Sequence, residues 1–225
     1  MDKSELIDVN SVVLDWLTMG IEDFFLSFRV GELDKFSRHE PFLNAMGLEM
    51  FCKGYLLAVK RTEYENLAVE EAKIKVNDLA KEMRHEVGIM VKEIKEHIGQ
   101  GKVQLLLDKK YDVIDKKFDL TGLKVLKAIE ASYFECRYPV PNPFYRKFPV
   151  SKLKGSYKAY WDPVNSSGLH EFCYELGRVI LTDLKVKFDI EIPRSWWNQH
   201  IVGDEGRRFE NLFFNSRREE FITKN

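Results

Sequence analysis

The stretch PFLNAMGLEMFCKGYLLAVK, residues 41–60, decides the fold of this chain. Pro41 suits the first turn of a helix, where its missing N–H costs nothing. Apolar side chains then recur at helical spacing, and Gly47 and Gly54 lie seven residues apart, so they share one face. Glycine inside a helix costs about 1 kcal/mol relative to alanine. Two glycines on one face therefore predict a helix that packs closely against a neighbour.

Helical periodicity continues on both sides of this stretch. It predicts a first helix over about 5–30, because apolar residues recur there at spacings of three, four and seven. The remaining helices are predicted over about 78–98, 119–135, 167–187 and 204–221. Residues 188–192 alternate like a short strand that has no obvious partner. We therefore expect an all-α protein.

Length, charge and cysteine content bound the class of protein. A chain of 225 residues fits one domain, and 35 basic against 36 acidic side chains give a net charge of −1. Near-neutrality excludes a surface that is basic throughout. Three cysteines without a CxxC pair favour a reduced protein, in which Cys52 and Cys173 are core residues. The sequence predicts no leader, membrane span, metal site or cofactor, and we expect a cytoplasmic protein.

Residues 136–160, here called the basic segment, differ in composition from the rest of the chain. They contain six basic and six aromatic residues, four of the seven prolines and no acidic residue. The net charge of −1 for the whole chain therefore divides into +6 on this segment and −7 on the remaining 200 residues. Prolines at this density exclude a regular helix. We expect a long proline-rich, basic and aromatic excursion before the last helices.

Two interpretations of the basic segment remain open. Basic side chains neutralise phosphates and aromatic rings stack on bases, which suits single-stranded nucleic acid or a nucleotide. Alternatively, the aromatic side chains pin a strap to the bundle and the lysines are solvated. The candidate binding residues of this segment are Tyr138, Arg146, Lys147, Lys152 and Lys154.

Three short patterns follow one another along the first two thirds of the chain. Glu49 and Lys53 form a Glu-x-x-x-Lys step, a His-Glu-Val step begins at His85, and an Arg-Tyr-Pro step begins at Arg137. Their order and spacing resemble the HEPN superfamily, the higher-eukaryote and prokaryote nucleotide-binding helical domains. In that family a His-Asp-Leu-like step stands where this chain has His-Glu-Val. The resemblance covers about 5–140.

The resemblance implies an organisation and a set of partners. It implies an up-and-down helical bundle that forms a single domain over 1–225, with a core over about 5–140 and C-terminal helices over about 167–221. HEPN domains are often homodimers. They either accompany a nucleotidyltransferase or act as metal-independent RNases in toxin–antitoxin and defence systems. We therefore expect a nucleotide or nucleic acid as ligand, and a second copy, a nucleotidyltransferase or an antitoxin as partner.

The residues of the three patterns are candidate binding residues. The resemblance implies this role for Lys53, His85 and Arg137, and an arginine fork suits phosphate. Each residue also has a structural alternative: Glu49 and Lys53 as an ordinary helical ion pair, His85 as a buttress between helices, and Arg137 as an ion-pair partner of Glu49.

A catalytic pair is the least specific candidate. HEPN RNases use an arginine, four to six further residues and then a histidine, and no histidine follows Arg137 before His170. Arg194 and His200 have the required spacing but lie outside the matched region. RNA cleavage needs a base and a cation, which these two residues would supply. The alternative is a Trp-rich turn in which Trp196 and Trp197 anchor the chain on the core.

The leading expectation is therefore a helical nucleotide- or RNA-binding domain without evident catalysis. The first alternative is a metal-independent endoribonuclease that uses Arg194 and His200, or Arg137 with an unidentified base. The second alternative is a structural protein-interaction module, in which the aromatic strap is a protein interface.

Overall fold

The computed structural model describes residues 6–33, 39–111, 120–137 and 167–215. About 83% of these residues are helical, which confirms the all-α bundle. The helices are α1 Val9–Leu33, α2 His39–Val59, α3 Val69–Glu82, α4 Val87–His97, α5 Gln100–Asp108, α6 Gly122–Arg137, α7 Ser167–Phe188, α8 Arg194–His200 and α9 Gly203–Phe214. A two-residue antiparallel hairpin, β1 Lys110–Tyr111 with β2 Leu120–Thr121, joins α5 to α6.

Helices α1 and α2 form a tightly packed antiparallel pair. A Cβ added at Gly47 would lie 2.8 Å from the Gly20 carbonyl oxygen and 2.7 Å from a ring carbon of Phe24. Seven residues further along α2, a Cβ at Gly54 would lie 3.5 Å from the carbonyl oxygen of Val13. Residue numbers therefore increase along α2 in the direction in which they decrease along α1, so the two helices are antiparallel. The predicted close approach is confirmed at Gly47, where Gly20 is the facing glycine, whereas at Gly54 the two helices have ordinary van der Waals spacing.

Helix α2 lies in the middle of the bundle. It packs against α1, α4, α6 and α7, and one buried cluster extends from Val9 to Phe214. Cys52 and Cys173 are both fully buried and unpaired, as expected. By length and composition α2 could cross a membrane, with a mean hydropathy of 1.2, but 72% of that window is buried within the protein. Contact with the other helices accounts for its apolar character.

The predicted helix over 78–98 is in fact two helices. Helix α3 begins at Val69, so the charged stretch before 78 is helical, and it ends at Glu82. A turn in which Arg84 adopts a left-handed φ of 47° separates it from α4. The apolar period continues in phase across this turn, which is why the sequence predicted one helix.

Two other predictions at the level of local structure need correction, and one helix was not predicted at all. The Trp-rich turn at 194–200 forms helix α8, and the helix without a prediction is α5. Residues 189–193 form no extended strand: Ile192 alone makes a β-bridge, and Ile190 and Ile192 are both buried. The predicted proline-rich excursion lies outside the described residues, as does the end of the helix predicted to reach 221.

Candidate functional site

Two helices and a turn bring three ionisable side chains together. Lys53 Nζ donates to Oε1 of Glu49 at 2.6 Å, one helical turn apart on α2. The turn between α3 and α4 places Nδ1 of His85 at 2.9 Å from Oε2 and 3.1 Å from Oε1 of the same carboxylate. We call Glu49, Lys53 and His85 the Glu49 cluster. These are residues of the first two HEPN-like patterns, which lie 36 positions apart in sequence.

Burial differs sharply across the Glu49 cluster. The side chains of Glu49 and Lys53 are 1% and 7% exposed, whereas that of His85 is 39% exposed. The pair is therefore not an ordinary solvated helix pair. A buried carboxylate that accepts from Nδ1 fixes the orientation of an imidazole ring, as it does for acid–base and phosphate-binding histidines. The cluster presents one oriented imidazole at the surface and keeps the ammonium of Lys53 beneath it.

The left-handed turn explains how His85 reaches the carboxylate. A non-glycine residue with positive φ costs about 1–2 kcal/mol, and Arg84 adopts this conformation. Its own side chain is 76% exposed and faces Glu86 at 3.8 Å. Arg84 therefore points away from its neighbour His85.

Asp23 of α1 is a further carboxylate within the electrostatic field of the cluster. Burial, and then the charges of Glu22 and Glu49, raise the pKa of Asp23 to about 6 from 3.8. Its carboxyl is therefore partly protonated near neutral pH, unlike an ordinary surface aspartate. Helical periodicity does not indicate this contribution, because Asp23 lies on a different helix from Glu49.

The structure does not bring Arg194 and His200 together. They are the first and last residues of α8, and six helical residues correspond to about 9 Å of rise and about 120° of rotation between side chains. Nδ1 of His200 lies 2.8 Å from the carbonyl oxygen of Trp196, and its ring stacks on that indole at 4.8 Å. Trp197 is 1% exposed and anchors α8 on the core.

For the remaining predicted site residues, the structure describes no side-chain position, so their distance from the Glu49 cluster and from His200 is not defined. Arg137 is the last residue of α6, and its side chain lies outside the description. The other five candidate binding residues are outside the described ranges: Tyr138, Arg146, Lys147, Lys152 and Lys154. Within the described ranges, no group of three His, Cys, Asp or Glu side chains is arranged to hold a metal ion.

A second polar network was missed by the sequence analysis. Nε2 of His170 on α7 lies 3.0 Å from Oε1 of Glu40 and 3.3 Å from Oγ of Ser27. The Asn44 amide donates to the Glu40 carbonyl at 3.0 Å and to Ser27 Oγ at 2.5 Å. Ser27, Glu40 and Asn44 are all at most 4% exposed. Because Ser27 and Glu40 both contact the same ring nitrogen and Ser27 is inaccessible, the network is not a nucleophilic triad.

Comparison with known proteins adds no relative. No family model, curated protein or solved structure matches this chain. The functional interpretation therefore rests on the residues and contacts described above.

Proposed function

We propose that the chain is a HEPN-like helical domain that binds RNA or a nucleotide without catalysing its cleavage, and that it acts as a homodimer or with a partner protein. The observation that carries the proposal is the Glu49 cluster. Lys53 and His85, two of the three residues for which the resemblance implies a binding role, both contact Glu49, and the imidazole of His85 is half-exposed at the surface.

The roles within the proposed site differ with burial. His85 contacts a phosphate or base directly, because its side chain is 39% exposed. Lys53 has a side chain only 7% exposed, so it acts through Glu49 by neutralising the carboxylate that orients the imidazole. The basic segment supplies the long-range attraction, since its charge of +6 stands against an otherwise acidic chain.

Binding of a short fluorescent oligouridine, followed by anisotropy over a salt series, tests the proposal. Reversing Arg146, Lys152 and Lys154 to glutamate removes three of the cationic groups. We expect affinity to fall more than about tenfold and the slope of log K against log salt to flatten by about 2, since each single-strand phosphate contact contributes about 0.7. His85→Gln should weaken binding with little change in slope if the ring contacts a base, or flatten it by about 0.7 if it contacts a phosphate.

A matched control separates local contact from net charge. Reversal of three exposed lysines on α3 changes the total charge of the chain by the same amount. These lysines are Lys73, Lys75 and Lys81. We expect this variant to lose less than about threefold in affinity. Equal losses in both triple variants, or no binding at low salt, would reject the proposed site.

One observation favours the endoribonuclease alternative in a specific form. A buried carboxylate on Nδ1 is the arrangement that prepares a histidine for proton transfer, so His85 is a better placed base than His200. Cleavage of RNA that persists in EDTA, is abolished in His85→Gln and is unchanged in His200→Ala would establish this alternative. Loss in His200→Ala with activity retained in His85→Gln would instead support the pair at Arg194 and His200.

A further inference from the structure

One side of α1 exposes a row of apolar residues. Met19 and Leu26 are 51% and 47% exposed, and Val12, Trp16 and Val30 are partly exposed. Single exposed apolar residues are ordinary, but a contiguous apolar surface marks an interaction site. None of these residues belongs to the Glu49 cluster, so the proposed RNA site does not account for them.

The spacing of this row is that of a helix–helix contact. Together with Asp23, the five residues recur at intervals of four, three, four, three and four positions. Two helices that pack along their length meet through this spacing. Because the series reads the same in both directions, an antiparallel second copy of α1 can meet it residue for residue. In that register Val12 faces Val30 of the second copy, Trp16 faces Leu26, and Met19 faces Asp23.

The charges beside the row favour an antiparallel pair over a parallel one. Asp15, Glu22 and Arg29 are exposed and lie seven residues apart along its outer edge. In an antiparallel pair Asp15 faces Arg29 of the second copy at both ends, whereas a parallel pair sets like charges against each other. Nε of Arg29 lies 2.7 Å from Glu205, but the side chain is 48% exposed, and a guanidinium has further donors for a second carboxylate. Glu22 faces its own copy in either arrangement, which weakens the pair without changing its direction.

The apolar surface continues from α1 onto α2 and is large enough for a weak dimer. Leu43, Met46 and Met50 are partly exposed on the side of α2 next to the row. The row is about 27 Å long at 1.5 Å per residue, and two packed helices present a face about 18–20 Å wide. This gives about 500 Å² per copy, or about 1,000 Å² in total, which is the lower limit for a specific interface.

We propose that this apolar face of α1 and α2 is the interface of a homodimer in which two copies pack antiparallel about a two-fold axis. A two-fold interface uses the same patch on both copies, so the patch must complement itself. The row does so in its spacing and in the charges at its two ends. Asp23 is the polar position within the row, and such a residue fixes the register at a cost in affinity. The inference specifies the homodimer that the proposed function includes, and it rests on that part of the proposed function alone.

Sedimentation velocity over a concentration series tests the interface. We expect a monomer–dimer equilibrium with a dissociation constant of about 1–50 μM. Met19→Glu combined with Leu26→Glu places charges inside the interface and should raise that constant more than about tenfold. Ile74→Glu combined with Ile89→Glu is the matched control, because these residues are 63% and 59% exposed on α3 and α4. The control should leave the constant unchanged.

Thiol cross-linking tests the direction of packing. In a Cys136→Ser background the remaining cysteines, Cys52 and Cys173, are fully buried. An equimolar mixture of Val12→Cys and Val30→Cys chains should cross-link with a short bis-maleimide. Neither chain alone should do so, because equivalent ends of the row lie about 27 Å apart in an antiparallel pair.

The outcomes distinguish the homodimer from RNA binding. A dimer that is weakened by the α1 substitutions but not by the control, and that cross-links only in the mixture, supports the interface. A monomer up to about 200 μM, a dimer that the α1 substitutions leave unchanged, or cross-linking of Val12→Cys alone each overturns it. A monomeric chain that binds oligouridine refutes only the homodimer, and a dimer that does not bind oligouridine refutes only the RNA site.

Discussion

Replacing Glu49 by glutamine removes the charge that holds the Glu49 cluster together. Glu49 and Lys53 have side chains only 1% and 7% exposed and lie 2.6 Å apart, so the substitution leaves a buried ammonium without its counter-ion. Breaking a buried ion pair from one side costs about 3–5 kcal/mol. A domain of this kind has about 5–15 kcal/mol of total stability. We therefore expect Glu49→Gln to lose about a fifth or more of the free energy of unfolding.

Urea denaturation followed by circular dichroism measures this loss, with two companion variants. Glu49→Leu combined with Lys53→Met replaces both charged side chains by apolar ones, and replacing a buried pair by apolar groups is often nearly neutral. The double variant should therefore recover most of the stability that Glu49→Gln alone loses. Glu70→Gln makes the same chemical change in the exposed pair with Lys73, whose side chains are 84% and 60% exposed. Exposed pairs contribute roughly 0–1 kcal/mol, so this control should change little.

The stabilities of the three variants show whether Glu49 and Lys53 behave energetically as a buried ion pair. A loss below about 1 kcal/mol in Glu49→Gln, comparable to that in Glu70→Gln, would show that water reaches Lys53 and that the pair is energetically a surface pair. A double variant no more stable than Glu49→Gln would show that the damage comes from lost packing rather than from an unpaired charge. Either result refutes the reasoning from burial.

Two further predictions concern α1 and α2. Burial and the neighbouring charges raise the pKa of Asp23 in the folded state to about 6 from 3.8. Between these two pH values the folded state therefore binds more protons than the unfolded chain. The free energy of unfolding consequently falls as pH rises through that window. Asp23→Asn should therefore stabilise the protein at pH 7.5 by about 1 kcal/mol after allowance for partial exposure, and by little at pH 4; equal effects at both pH values would contradict this. Gly47→Ala should destabilise the protein by about 1–3 kcal/mol in urea melts, since its Cβ would lie 2.8 Å from the Gly20 carbonyl oxygen. Gly54→Ala is the control: its Cβ would have its nearest neighbours at 3.5–3.6 Å, so this substitution should be neutral or stabilising.

The sequence predicts those parts of the fold in which apolar residues recur at helical spacing over many residues. The helical face of α2, with Gly47 and Gly54 seven residues apart, correctly indicated close contact with another helix. The turn at Arg84 was missed because the apolar pattern keeps its phase from α3 into α4. Apolar periodicity reports only which side chains share a face of a helix. It does not detect a turn when the apolar residues before and after the turn keep the same spacing. Short helices such as α5 were missed because few residues sample the period.

Some contacts of the candidate site were also predictable from the sequence, and others were not. Glu49 and His85 could be paired only through the family-like order of their motifs, since 36 residues separate them. Glu40 and His170 are 130 positions apart and Ser27 and His170 are 143 apart, and no motif links them. A contact of this kind depends on how α1, α2 and α7 pack in three dimensions. Single-sequence periodicity places each residue on a face without saying which faces meet.

Stability alone does not account for the charges of the Glu49 cluster. A buried ion pair is often replaceable by apolar groups of similar size at little cost, and the predicted behaviour of the double variant at Glu49 and Lys53 expresses this. What apolar groups cannot do is orient the imidazole of His85 through Nδ1. If the double variant unfolds at nearly the wild-type urea concentration yet binds oligouridine as weakly as His85→Gln, the cluster is there to position His85. If it binds RNA with full affinity, the cluster is a structural ion pair, and the RNA site lies elsewhere on the chain.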